Sequence, residues 1–165
     1  MLEAKLGYTD GAGPNAAALW PVYLCFLVFG IMIPFTKPEF KLTTLLLSVL
    51  LALVVGLLAV YLLILIFNAG NPALREAGKS QFAREAVAAG MLFMIPFTVL
   101  AVLAQFGLGW NAVMPFASAA IMTAAATAGS EVVKKGAQGI KNMLIPAGLA
   151  FVLSTGWMML VAMLP

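Results

Sequence analysis

Charge is missing from four long stretches of this 165-residue chain, 11–36, 42–74, 86–130 and 142–165, and all of its charged residues, 9 basic and 6 acidic, fall outside them. The hydrocarbon core of a bilayer is about 30 Å thick, and a helix needs roughly 20 apolar residues to cross it. Each stretch meets that length, and 86–130 is long enough to cross twice. A charge at the centre of a crossing helix costs about 2.5–3.5 kcal/mol even on the lenient insertion scale. Excluding charge over such lengths is what a lipid solvent demands. The chain is therefore expected to be all-α, a polytopic membrane helical bundle.

Composition agrees, because 64% of the residues are hydrophobic against about 45–50% in soluble domains. A single integral-membrane domain over 1–165 is expected. There is no histidine, which removes the usual haem ligand and His-containing metal sites, so no cofactor or metal is expected. The one cysteine, Cys25, lies within an apolar run and has no partner in the chain for a disulfide. The net charge of +3 does not point to nucleic acid, since the basic residues flank the spans, where orientation and lipid headgroups account for them. Residues 1–16 carry Glu3, Lys5 and Asp10 before Gly11, Gly13 and Pro14, unlike a secretory signal. The first apolar run is read as a retained helix.

Five spans are expected, at about 17–35, 43–67, 88–106, 111–129 and 143–164. Gly107, Gly109, Trp110 and Asn111 supply the turn between the third and fourth. A re-entrant hairpin is the alternative there. Five spans put Lys5, Arg75, Lys79, Arg84, Lys134, Lys135 and Lys141 on one side and Lys37 and Lys41 on the other. The positive-inside rule then gives a multi-pass protein of the cell inner membrane with a cytoplasmic N-terminus and an external C-terminus. An interfacial amphipathic helix is expected over 72–87, with Asn71 as N-cap and Pro72 at its first position. Its Ala73, Leu74 and Ala77 would face the bilayer and Arg75, Glu76, Lys79 and Ser80 water.

Small residues mark where helices approach closely. Ser48, Ala52 and Gly56 recur every four residues in the second span, on a helix that is otherwise large and aliphatic. Gly148, Thr155 and Ala162 form a looser stripe in the fifth. Both are expected to pack against helices, in this chain or another. The fourth span is small almost throughout, from Ala117 to Ser130, and belongs inside a bundle or at a subunit interface. Its Thr123, Thr127, Ser130, Glu131 and Lys134 share one face. They either wall a polar pathway, or bond one turn back along the helix, with Glu131 paired to Lys134 or Lys135. Arg75, Lys79, Arg84, Lys134, Lys135 and Lys141 are candidates for lipid headgroups. Pro96, near mid-span, should kink the third span.

No span carries an Asp, Glu, Lys, Arg or His near its middle, which argues against proton coupling. No carboxylate pair, Cys–His arrangement or phosphate loop is present, which argues against catalysis. The expected function is a non-catalytic integral membrane protein: an oligomerising subunit that packs through small-residue faces, as a homo-oligomer or within a larger membrane complex. The alternative is a homo-oligomeric passive channel or facilitator lined by hydroxyls of the fourth span. A third reading, a lipid-acting enzyme built on Glu131 and the basic loops, has the least to stand on.

Overall fold

The computed structural model describes residues 20–77, 82–111 and 113–164, and every regular element in them is helical. Helix α1, Trp20–Met32, runs into a 3-10 turn, Ile33–Thr36. Helix α2 is Leu42–Gly70, α3 is Pro72–Glu76 and α4 is Phe82–Met91. Helix α5, Met94–Val102, ends in a π turn, Leu103–Gly107. Helices α6, Val113–Lys134, and α7, Lys141–Ala162, complete the fold.

Four helical segments are long and apolar enough to cross a membrane: Leu42–Gly70, Phe82–Gly107, Val113–Lys134 and Lys141–Ala162. The first expected span corresponds to a shorter apolar helix, Val22–Thr36, and residues 17–19 at its expected start lie outside the described residues. The bundle is thus a helical membrane bundle with four candidate crossings and one shorter apolar helix.

Two local features differ from the sequence reading, each for a physical reason. The expected interfacial helix over 72–87 is not one element. Only Pro72–Glu76 is helical before a turn at Ala77, and residues 78–81 lie outside the described residues. The next helix begins at Phe82, and its Ala83, Ala86 and Val87 are fully buried in the bundle. The third span therefore starts earlier than the charge-free stretch. Arg84 and Glu85 are carried on it because Arg84 points outward and Glu85 meets Lys135 at 2.6 Å. Asn71 is likewise not a side-chain N-cap. Its side-chain amide donates backward to the Phe67 carbonyl at 3.1 Å, closing the end of α2.

Pro96 acts as expected. It has no N–H to donate to the Leu92 carbonyl, and the helix breaks into α4 and α5 at Leu92–Phe93. There the Phe93 N–H donates to Gly90 O and the Ile95 N–H to Leu92 O, both at 3.1 Å. These are i−3 bonds in place of i−4 bonds. At the far end of this segment Gly109 takes φ +68°, the left-handed conformation that glycine enters at no steric cost, and the chain turns into α6.

Helix α6 is central. Val113, Ala117, Ala120, Ile121, Ala124, Ala125, Ala128, Gly129 and Val132 are all buried, and they occupy one side of the helix at three- and four-residue steps. That side meets α4, α5 and α7, while α1 packs on α2. One end of the bundle gathers Asn71, Glu85, Lys135 and Asn142. At the other, Lys37 Nζ donates to Leu164 O at 3.1 Å and Gln105 Nε2 to Phe35 O at 3.3 Å. Phe35 stacks there against Phe40 and Phe106, with ring centres 5.4 and 5.5 Å away. Trp110 is exposed and follows directly on that end of α5, suited to an aromatic belt.

Candidate functional site

The stripe Ser48–Ala52–Gly56 lies against α1 of the same chain. Ser48 and Ala52 are fully buried. The Ser48 hydroxyl donates to Gly30 O at 2.8 Å, with Leu45 O at 3.0 Å as a second acceptor. A Cβ on Gly30 would come within 2.9 Å of the Val49 Cα, and one on Gly56 within 2.6 Å of the Phe26 ring. Glycines on both helices therefore set the spacing of this pair. The opposite side of α2 exposes Leu46, Leu50, Val54, Leu57, Tyr61 and Leu65, a broad apolar surface suited to lipid.

The second stripe behaves differently. Gly148 is exposed and a Cβ there would meet nothing within 4 Å. Thr155 is half-buried and donates to Phe151 O one turn back at 2.8 Å. Neither Gly148 nor Ala162 packs within the chain; the buried side of α7 is Asn142, Pro146, Ala150, Ser154, Trp157 and Val161.

On α6, Thr123, Thr127 and Ser130 are half-buried and lie away from the packed side. With Ala119 and Ala126 they form a half-buried face of small and hydroxyl side chains. The Thr127 hydroxyl donates to Thr123 O at 2.8 Å, the bond to a preceding carbonyl that hydroxyls make in helices. Glu131 pairs with Lys134 at 2.6 Å. Lys134 is 67% exposed, and a pair at such a surface contributes about 0–1 kcal/mol. The hydroxyls thus lie away from the packed side of the helix and are half-buried.

Of the basic candidates, Arg75, Arg84, Lys134 and Lys141 are exposed at one end, and Lys135 is half-buried in its pair with Glu85. Lys79, like Lys5, lies outside the described residues. The described basic residues at the opposite end are Lys37 and Lys41.

Sequence reasoning missed the closest contacts. A Cβ on Gly90 would lie 2.5 Å from both Ala124 O and Ala128 N, and one on Gly129 would collide with Asn142 O. Gly90 sits where α4 nearly touches the α6 backbone, and Gly129 where α6 nearly touches α7. The signal was present: Ala86 and Gly90 are four apart, as are Ala124 and Ala128 opposite them. Asn142, also missed, accepts from Asn71 Nδ2 at 2.9 Å and donates to Gln138 O at 2.9 Å, tying α2 to α7 through buried amides. The indole Nε1 of Trp157 is buried without a partner.

Three grooves open sideways between helices. One, of about 440 Å³, lies between α1 and α5, lined by Cys25, Val28, Thr98 and Val102 among others. One of about 410 Å³ lies beside Leu50, Val54 and Leu160. The third, about 310 Å³, is lined by Tyr61, Ile64, Leu65, Asn68, Ala69 and Arg75. It is the only one of the three that joins an apolar floor to a cation.

The class so defined is a helical membrane bundle with four candidate crossings and one shorter apolar helix. Comparison with protein-family models, curated proteins and solved structures gives no match to this chain.

Proposed function

We propose that this chain is a non-catalytic subunit of a membrane assembly, joining a second copy or a larger membrane partner through the half-buried small-residue face of α6. The observation that carries this is the face itself. Ala119, Thr123, Ala126, Thr127 and Ser130 are half-buried, and small and hydroxyl side chains gain little from lipid but let a second helix approach closely. The open Gly148 on α7 adds a second position of the same kind. The Ser48 stripe is excluded from this role because α1 occupies it.

The basic-rich end of the bundle supports an inner-membrane protein with that end, and the N-terminus, in the cytoplasm. Mass measurement of the purified protein in a native-preserving detergent tests the proposal. A defined oligomer, or a co-purifying membrane protein, is expected. A strict monomer with no partner overturns it.

The position of the α6 hydroxyls, away from the packed side of the helix, also frames the channel reading. A pathway lined by Thr123 and Thr127 would have to run between protomers. In liposomes, Thr127→Leu should then reduce solute or ion flux; flux that Thr127→Leu and Thr123→Leu leave unchanged removes α6 as the path.

A further inference from the structure

We propose that the groove at the charged end of α2 holds one anionic phospholipid with a hydroxyl-bearing headgroup, of the phosphatidylglycerol type. The groove of about 310 Å³ runs along α2 from Tyr61 through Ile64, Leu65, Asn68 and Ala69 to Arg75 on α3. Helix α2 has 29 residues, about 43 Å at 1.5 Å per residue. That is close to the full bilayer thickness of about 40–45 Å, headgroup layers included. Asn68 and Arg75 therefore stand at headgroup depth, while Tyr61 and Leu65 stand at the start of the acyl region.

Charge chemistry fits each part of such a lipid. Arg75 is exposed and forms no ion pair among the described residues, so its guanidinium is available to a phosphate, which it suits geometrically. Asn68 contributes a side-chain oxygen shielded from solvent and without a partner, a state that costs free energy until a donor arrives. No hydrogen bond fixes this amide, so it is free to turn toward a headgroup hydroxyl. Ile64, Leu65 and the Tyr61 ring form the floor for one acyl chain. A soluble anion would use Arg75 and leave that floor empty. This inference rests on the membrane placement of the bundle and not on the assembly proposed above.

The test is native mass spectrometry of the full chain from bilayers that mix phosphatidylglycerol and phosphatidylcholine. One phosphatidylglycerol per protomer should be retained in preference to phosphatidylcholine. Arg75→Gln should lower that retention about tenfold, the scale of one charge-assisted contact. Asn68→Leu should reduce the preference for phosphatidylglycerol over phosphatidic acid, which lacks the hydroxyl. Lys41→Gln removes the same charge at the opposite end and should change neither. Equal losses in Arg75→Gln and Lys41→Gln would mean diffuse attraction and overturn the site. Equal retention of phosphatidylcholine would overturn the charge assignment. Displacement by free glycerol phosphate would reassign the groove to a soluble anion. If Arg75→Gln fails to fold in a thermal-unfolding control, Asn68→Leu decides alone.

Discussion

Gly90 and Gly129 carry more of this fold than their lack of side chain suggests. Each lies where a neighbouring backbone comes too near for a Cβ, and the atoms in the way are main-chain atoms that cannot rotate aside. Gly90→Ala and Gly129→Ala should therefore each lower unfolding stability in detergent by about 1–3 kcal/mol, the usual cost of overpacking. Gly156→Ala meets open space and should be neutral or stabilising by about 1 kcal/mol or less, since alanine is the better helix former. Loss of stability at Gly90, Gly129 and Gly156 alike would contradict this picture of the packing. The amide pair makes a second residue-scale prediction. Asn71 and Asn142 should show a coupling of about 0.6–1.7 kcal/mol in a double-mutant unfolding cycle, the range for hydrogen bonds between membrane helices. Additive single effects would show that the 2.9 Å contact contributes nothing net.

Among the elements, the break between α4 and α5 has an identifiable cause in Pro96. Pro96→Ala supplies the missing N–H, so spin labels near the ends of the Phe82–Gly107 segment should move apart in pulsed distance measurements as it straightens. An unchanged distance would assign the bend to packing. This kink was legible in the sequence because proline acts locally. The burial of α6 was legible too, because a helix with mostly small side chains needs close neighbours. The Ser48 stripe was legible as a packing face, but its partner was not, since helical spacing gives a direction and no address. The segment 72–87 was misread because charge was taken to end a span. A helix tolerates Arg84 and Glu85 near its end when one faces outward and the other has a partner fifty positions on, at Lys135. Such long-range pairing leaves no periodic trace. Gly148 and Ala162 follow the same spacing rule as Ser48 but stay exposed within this chain.

At the scale of the whole molecule, the helix faces divide into two kinds. The outer side of α2 is broad and aliphatic, whereas α6 carries a half-buried strip of small and hydroxyl side chains beside its exposed Met122 and Val133. With Cys25→Ala as background, Ser130→Cys should form crosslinked dimers in oxidised membranes if a second copy occupies the α6 face, and Leu57→Cys on α2 should not. Crosslinking of both to the same extent would indicate random collision. The central position of α6 also bears on how the protein is made. By mean hydropathy α6 is the least apolar of the four long segments, and α2 the most. A segment leaving the ribosome partitions into lipid on its own hydrophobicity, before any later segment exists to shelter it. Helices α1 and α2 can enter as a self-contained hairpin, with Ser48 already bonded to Gly30. Helix α6 has no such independence, because its most intimate contact, at Gly129, is with α7, which is synthesised after it. Its commitment to the bilayer would thus wait on α7.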